Sequence, residues 1–144
     1  MTSYLEPSAD AGRALFTRGI TGPVVMLNLL RLRPVADYSA TPDLAPANAI
    51  TGAAAYDLYM EHTLPLLRKT GGDVIFLGQG GGFFIGPTDE VWDLAMLVRQ
   101  NSLADFAAFA SDPVYLAGIG HRTAAVSDSR LLPLVERTQE NGNV

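Results

Sequence analysis

Three polar side chains of this sequence have the chemistry for proton transfer or for binding an anion. His62 and Asp93 are residue types that accept and return a proton at neutral pH. Arg122 carries a planar guanidinium, which forms paired hydrogen bonds with a carboxylate or an enolate. We predict these three as the catalytic residues of a small-molecule enzyme, with Arg122 as the anchor.

Each of these residues also has a structural interpretation. Arg122 can form an ion pair with Asp93 or Asp112, and a buried Asp93 would need a cation or a ligand because an unpaired buried charge is too costly. His62 directly follows Glu61, and adjacent residues of a helix do not face one target. The sequence leaves both interpretations open.

Five residues are predicted to bind the substrate. Asn28 interrupts an apolar run, and its alternative role is a hydrogen bond to the backbone or to a neighbouring loop. The tyrosines of a helical apolar stripe can equally be core residues with satisfied hydroxyl groups. The predicted substrate-binding set is Asn28, Tyr56, Tyr59, Trp92 and Tyr115.

No metal and no cofactor is predicted. The sequence has no cysteine and two histidines, His62 and His121, and the latter is expected at an exposed strand end. A glycine-rich run, residues 78–82, lacks the Lys-Ser/Thr of a phosphate-binding loop, and β-type residues follow it. We expect a bulge or a sharp bend there.

Composition limits the class of protein. The 144 residues are 48% hydrophobic, which favours one globular domain over residues 1–144. No apolar run is long enough to span a bilayer, and no leader pattern is visible, so we expect no membrane partner and a cytoplasmic location. The net charge of −5 disfavours nucleic acid, whose phosphates need a basic surface.

The apolar patterns predict six main elements in the order strand, helix, strand, strand, helix, strand. The central feature is a hairpin of strands 73–77, resuming at 83–85, and 91–98, with a turn at 86–89. In its second strand, Trp92, Leu94, Met96 and Val98 are predicted to share one face. The other predicted elements are a strand at 23–32, a helix at 53–70 kinked or restarted at Pro65, a helix at 102–110, a short helix from Pro113 to Gly118 or Gly120, and a last strand at 121–128.

Three further segments flank or interrupt these elements. Residues 1–20 are predicted to include a short helix that Ser8 caps and Gly19 ends. Residues 33–51 contain three prolines and form a long loop or arm, or alternatively a lid. Residues 135–144 form a polar tail.

This order predicts an α+β fold of the ferredoxin-like βαββαβ type, with a four-stranded antiparallel sheet and the helices on one face. Such a sheet leaves its other face bare, yet the strands are apolar on both faces. A bare apolar face of several hundred Å² is a liability for a monomer. We therefore predict a homodimer that pairs through this sheet face.

Three stretches resemble the uncharacterised DUF1330 family, a branch of the dimeric α/β-barrel superfamily. They are PVVMLNLLR, YDLYMEHTLPLLRKTGGDV, and the run from EVWDLAMLVR through SDPVYLAGIGHRTAAVSDSRL. The most specific pieces are Gly71-Gly72, Trp92-Asp93, and Asp112-Pro113-Val114-Tyr115 followed by Arg122. The resemblance implies two ferredoxin-like subunits joined sheet to sheet into a dimeric α/β barrel, and it implies no established activity.

Three classes of function follow. The first is a cofactor-free enzyme acting on a small organic acid, phenol or lactone in a pocket between the sheet and the main helix. The second is a non-catalytic protein that binds a small molecule in the same pocket. The third is a purely structural dimer with a filled core.

Overall fold

A computed structural model describes residues 2–137 of the chain; residues 138–144 of the predicted polar tail lie outside the described part. The predicted order of strands and helices is confirmed, and the fold is the α+β ferredoxin-like fold. The elements are α1 (Ala9–Phe16), β1 (Val24–Leu32), α2 (Gly52–Lys69), β2 (Asp73–Gly82), β3 (Val91–Gln100), α3 (Leu103–Ala110), α4 (Pro113–Ala125) and β4 (Val126–Leu134). A short 3-10 helix, Pro42–Leu44, lies between β1 and α2.

The four strands form one antiparallel sheet in the order β2-β3-β1-β4. Alternate residues of β1 are buried, as expected for a strand with one covered face. The buried residues Val24, Met26 and Leu30 belong to the same core cluster as Tyr56, Tyr59 and Leu67 of α2. The other face of the sheet, here called the open face, carries Val25, Leu27 and Leu29, which are partly exposed.

Helix α2 begins and ends through local interactions. The Thr51 hydroxyl accepts a hydrogen bond from the Ala54 N–H at 3.0 Å, which caps the first turn. Gly71 follows the helix with φ of +86°, a conformation that glycine adopts without strain. Pro65 lies inside α2 and the helix continues through it to Lys69, so the expected restart at this residue does not occur.

The predicted end of the helix after Pro113 is wrong, and the last strand begins at Val126 instead of at residue 121. Helix α4 continues through Gly118 and Gly120 to Ala125, which places His121 and Arg122 on a helix. The glycines are needed for close packing: a Cβ on Gly118 would collide with the His62 ring of α2, and one on Gly120 would reach Thr41. Glycine is common where a helix ends, but here it permits close contact between helices.

The glycine-rich run is part of β2, and the predicted bulge lies elsewhere. Residues of this run pair regularly with β3, for example Gly78 with Ala95 and Gly82 with Val91. The shift of register falls instead between Val74 and Phe76. The strand then ends at Gly82, so the predicted strand segment 83–85 is wrong and these residues belong to the turn.

Trp92 does not share the face of Met96 and Val98, which corrects the predicted pattern of β3. Met96 and Val98 belong to the core, and buried Trp92 lies outside this cluster. Its ring lies 4.6 Å from the guanidinium carbon of Arg31 and 5.0 Å from that of Arg130. Arg130 pairs with Leu29, so the indole lies on the open face.

The loop of residues 33–51 packs on its own subunit. The Ala36 N–H donates to the Ile50 carbonyl and the Asp37 N–H to the Ala124 carbonyl, each at 2.9 Å. The Tyr38 hydroxyl lies 2.7 Å from Nδ1 of His121, so His121 is a helical residue held by the loop and not an exposed strand end. Burial, with a smaller effect of His62, lowers the pKa of His121.

The N-terminal segment runs beside the start of β4. Ser8 caps α1, as predicted, by accepting a hydrogen bond from the Ala11 N–H at 3.0 Å. Before it, the Tyr4 carbonyl accepts a hydrogen bond from the Ser129 N–H at 3.0 Å. Leu5 and Leu15 pack against the core, so the segment is attached on both sides of the cap.

Candidate functional site

A cavity of about 600 Å³ lies between α2 and the sheet, at the C-terminal end of β1. Tyr56 and Met60 of α2 form one wall, and Leu77 of β2 and Leu94 of β3 form the opposite wall. Its polar side chains are those of Arg33, Thr51, Asp57, Gln79 and Asp93. A concave apolar space with a few convergent polar groups is the usual form of a small-molecule site.

Arg33 is fixed at the edge of this cavity by its backbone. Its N–H donates to the Ala125 carbonyl at 2.8 Å, and its carbonyl accepts from the Gly52 N–H at 3.1 Å. Among the described residues, the buried Nε of its side chain has no hydrogen-bond partner. A buried donor without a partner is uncommon in folded proteins and calls for a specific explanation.

The charge of Arg33 also acts on Asp37, in the loop that follows it. The side chain and backbone of Ser39 lower the pKa of Asp37, and the Arg33 guanidinium contributes to the same effect more weakly. The guanidinium is therefore near one exposed carboxylate but does not form a salt bridge with a described residue.

Asp93 is the predicted catalytic residue that lines the cavity. It is half-buried, and its Oδ2 accepts a hydrogen bond from the Leu32 N–H at 2.7 Å. Its expected cation partner is not found among the described residues, since a backbone N–H fills that place. The carboxylate thus accepts a backbone hydrogen bond at the end of β1, and it also lines the cavity.

The three predicted tyrosines form one buried cluster, of which Tyr56 reaches the cavity. The hydroxyl groups of Tyr59 and Tyr115 are 2.9 Å apart, and the rings of Tyr56 and Tyr59 are 5.4 Å apart. Burial raises the pKa of Tyr56 and of Tyr59 well above the usual value of 10.0. These hydroxyl groups therefore stay protonated at neutral pH.

The other predicted site residues have partners away from the cavity. Nε2 of His62 lies 2.6 Å from the Val114 carbonyl and joins α2 to α4. Arg122 pairs with neither Asp93 nor Asp112: it donates to the Leu5 carbonyl at 2.9 Å and to the Ser129 hydroxyl at 3.3 Å. Buried Asn28 donates to the Met26 carbonyl at 3.2 Å, its alternative backbone role.

The open face carries a second polar cluster, which the sequence pattern does not predict. Asp128, with 3% of its surface exposed, accepts hydrogen bonds from Arg130 at 2.7 Å and from Arg31 at 3.4 Å. Both guanidinium groups also contact Trp92. Residues 31, 92 and 128 are too distant in sequence for the pattern to predict contact between them.

Burial by itself would raise the pKa of Asp128. The N–H of Tyr4, the side chain of Arg130 and the N–H of Ser129 outweigh that effect and hold the pKa below its usual value. Within residues 2–137 no group of three or more His, Cys, Asp or Glu side chains is placed to hold a metal ion. None of the helices described is both long and apolar enough to cross a membrane.

Solved structures of one protein match this chain over nearly its whole length. The RPA0582 protein of Rhodopseudomonas palustris, described as a protein of unknown function, is 38% identical, with a TM-score of 0.83; the match covers 96% of this chain and 100% of that chain. A structure of methylated RPA0582 gives the same identity and TM-score and covers 99% of this chain. The chain belongs to the RPA0582 family.

A structure with much lower sequence identity was also found. A dimeric protein of unknown function with a ferredoxin-like fold from Bacteroides fragilis is 16% identical over 78% of this chain and 94% of that chain. Its TM-score of 0.47 is too low to support an argument about this chain. No protein-family model and no curated protein matches the sequence.

Proposed function

We propose that this member of the RPA0582 family binds a small organic acid, phenol or lactone in the cavity between α2 and the sheet. The observation that carries the proposal is the buried Nε of Arg33, which has no partner among the described residues and belongs to a side chain that lines the cavity. A negatively charged oxygen of a ligand would accept a charge-assisted hydrogen bond from this Nε–H.

The remainder of the cavity suits a compact ligand with an apolar body. The ring of Tyr56 and the side chains of Met60 and Leu94 offer apolar contact. Asp93 offers a carboxylate that can accept a hydrogen bond from a ligand hydroxyl. A hydroxy acid or a phenolic acid would therefore use Arg33 and Asp93 together.

Binding without catalysis is favoured because the predicted catalytic residues do not converge. His62 and Arg122 are engaged with backbone carbonyls of other segments. A second candidate function, a cofactor-free enzyme, is supported by Asp93, which lines the cavity and is a residue type that serves as a general base. In that enzyme Asp93 would take a proton from a ligand whose resulting oxyanion pairs with Arg33.

Isothermal titration with a panel of small carboxylic acids, phenols and lactones tests the proposal. A ligand of the wild type should bind Arg33→Met at least about tenfold more weakly, because a hydrogen bond to a charged group contributes about 1.5–3 kcal/mol. Arg13→Met, at an exposed position of α1, is the control and should bind normally.

Two outcomes would contradict the proposed site. Unchanged binding by Arg33→Met with loss of binding by Arg122→Met would move the ligand to the surroundings of Arg122, beside Leu5 and Ser129. Failure of every compound to bind the wild type would favour the purely structural class. Turnover of a bound compound that Asp93→Asn abolishes would instead support the enzyme.

We also propose that two copies pair through the open face, as in the DUF1330-like dimers that the sequence resembles. Partly exposed Val25, Leu27, Leu29 and Leu97 support this, together with an apolar groove of about 530 Å³. Two identical faces related by a twofold axis can cover each other.

A further inference from the structure

The β2–β3 hairpin extends beyond the rest of the sheet. Pairing between β1 and β3 ends at Leu30 with Leu94, whereas pairing between β2 and β3 continues to Gly82 with Val91. Residues 80–91 therefore form a two-stranded projection with its turn at the end. We call residues 80–86 the arm.

The end of the arm is apolar and exposed. Phe84 is fully exposed at 101%, Ile85 is 87% exposed and Phe83 is 44% exposed. Burying one such side chain stabilises a protein by about 1.5–3 kcal/mol, so leaving two of them in water is unfavourable. Scattered exposed apolar residues are ordinary, but adjacent ones mark a surface that contacts something else.

Two of the four glycines of the arm, Gly81 and Gly82, carry a second, independent observation, whereas a Cβ on Gly80 or on Gly86 would meet atoms of its own chain. A Cβ on Gly81 or on Gly82 would meet no atom of residues 2–137 within 4 Å, and neither residue has the positive φ that favours glycine. Glycine inside a strand makes the strand less stable than a residue with a side chain would. Packing within the described part of the chain therefore gives no reason for glycine at these two positions, whereas the close approach of another molecule does.

The charge of the hairpin indicates which kind of molecule approaches. Residues 70–98 contain no lysine and no arginine, and the acidic pair Asp89 and Glu90 lies at the end of the turn, directly before β3. Anionic lipid and nucleic acid attract basic segments, so both are poor partners for this one. An apolar protein surface is the partner that this chemistry fits.

The hairpin itself connects the arm to the open face. Phe76 of β2 pairs with Leu97, which lies on that face, and Phe76 is 56% exposed. Ile75, which is 54% exposed, lines the apolar groove beside Val25. A molecule that covers this face therefore lies along the same strand that ends in the arm.

We propose that the arm packs against a second copy of this chain and forms part of the dimer interface. The inference rests on the proposed homodimer and adds a specific contact to it. Phe84 and Ile85 are buried on the partner subunit, and the backbone at Gly81 and Gly82 lies against it. Each subunit contributes one arm, as twofold symmetry requires.

Sedimentation equilibrium of the double variant Phe84→Ser, Ile85→Ser tests the arm. The dissociation constant of the dimer should rise by at least about a hundredfold, since two buried apolar side chains are lost from each subunit. The control is Val114→Ser with Leu116→Ser, which removes apolar side chains of similar exposure, 54% and 48%, from α4. This control should dimerise as the wild type does.

A second variant tests the glycines without removing any apolar group. Gly82→Val has room in the isolated subunit and a better strand residue, so the unfolding midpoint of the subunit should stay the same or rise. Its dimer should be weaker by at least about tenfold, because the added side chain collides with the partner. Dimerisation equal to that of the wild type would contradict close approach at this position.

A photocrosslinking experiment locates the contact. The chain has no cysteine, so Phe84→Cys introduces a unique thiol that can carry a benzophenone. Illumination should link two subunits at protein concentrations where the dimer is populated, and mass spectrometry should find the link on the partner. Links confined to the same subunit would overturn the proposal.

The remaining outcomes separate the arm from the dimer. A wild type that stays monomeric at high micromolar concentration would overturn both proposals. A wild-type dimer that the Phe84 and Ile85 changes do not weaken would overturn the arm and leave the open-face dimer standing. Binding to neutral phosphatidylcholine vesicles that depends on Phe84, with no effect on dimerisation, would assign the arm to a lipid surface.

Discussion

Asp128 has the densest set of hydrogen bonds on the open face. It accepts from the N–H groups of Tyr4 and Ser129, each at 2.9 Å, and from the guanidinium groups of Arg130 and Arg31. These donors hold together the N-terminal segment, β1 and the start of β4. Its carboxylate therefore contributes to stability through several segments that are distant in sequence.

Asp128→Asn is expected to lower the free energy of unfolding at pH 7 by about 2 kcal/mol, because the charged acceptor of these hydrogen bonds is lost. The folded pKa of Asp128 lies below its usual value of 3.8. Its contribution is therefore complete above that value and is lost as the pH falls through the folded pKa. Urea unfolding of both proteins between pH 7 and pH 2 should show the difference shrinking as the acid range is entered.

The control for this prediction is Asp10→Asn. Asp10 and Arg13 form an ion pair on α1 whose side chains are 91% and 70% exposed, and such pairs contribute little. If Asp128→Asn and Asp10→Asn lower the free energy of unfolding equally, the buried carboxylate is not a stabilising group. The same conclusion follows if the effect of Asp128→Asn does not vary with pH.

Arg33 and Arg122 show how a candidate site depends on three-dimensional context. Both are arginines in a mixed polar and apolar sequence, and the family-like motif pointed to Arg122. The structure gives Arg122 two partners and leaves the buried Nε of Arg33 without one among the described residues. Residue type established the chemistry, but only the contacts show which guanidinium already has partners among the described residues.

At the scale of the elements, the packing of α2 on α4 depends on a glycine. His62 of α2 lies where a side chain on Gly118 would be, and it also contacts the Val114 carbonyl. The two helices can approach each other at this point because Gly118 has no Cβ. Helix α4 continues beyond this contact to Ala125 and carries Arg122 beside the N-terminal segment.

Gly118→Ala is expected to destabilise the protein by about 1–3 kcal/mol, because the new methyl group displaces the His62 ring. In a His62→Ala background the collision is removed, and the same change should stabilise by up to about 1 kcal/mol through helix propensity. Chemical denaturation of the four proteins of this double-mutant cycle shows whether the effect of Gly118→Ala on the free energy of unfolding changes sign when His62 is removed.

Gly12→Ala in α1 is the matched control, since a Cβ there would meet nothing within 4 Å. It should be neutral or stabilising. Stabilisation by Gly118→Ala in the wild-type background would mean that the helices do not pack as closely as described.

At the scale of the whole molecule, the open face of the sheet leaves apolar residues partly exposed. It carries partly exposed leucines in the middle of the sheet, and more exposed apolar residues lie at its edges, including Ile75, Phe76 and Leu132. Adjacent strands present these residues side by side, as with Leu27, which pairs with Leu97 and with Leu132. An apolar surface of this kind is stabilised when a second copy covers it.

Leu27→Glu should shift the protein from dimer to monomer, because twofold pairing would bury two unpaired carboxylates at the centre of the interface. Leu58→Glu, at a 36% exposed position of α2, should leave the dimer unchanged. Sedimentation velocity over a concentration series measures the change, and circular dichroism checks that each variant is folded. Persistence of the dimer in Leu27→Glu would place the interface on another surface.

The sequence by itself determined the features that depend on short-range interactions. The order of strands and helices follows from the spacing of apolar residues, and the helix starts follow from caps such as Ser8, Thr51 and Ser102, which bond within three residues. The hairpin follows from two β-type runs around a turn. These interactions act within a few residues, so the pattern of neighbours is enough to predict them.

Only the tertiary structure decided which groups are paired. Examples are the close contact between Gly118 and the His62 ring and the position of Trp92 beside Arg31 and Arg130. Another is the buried Nε of Arg33, which has no partner among the described residues. The contacts of His62 and of Trp92 join residues far apart in the chain. Local propensity carries no information about such partners, and packing overrides it where the two disagree.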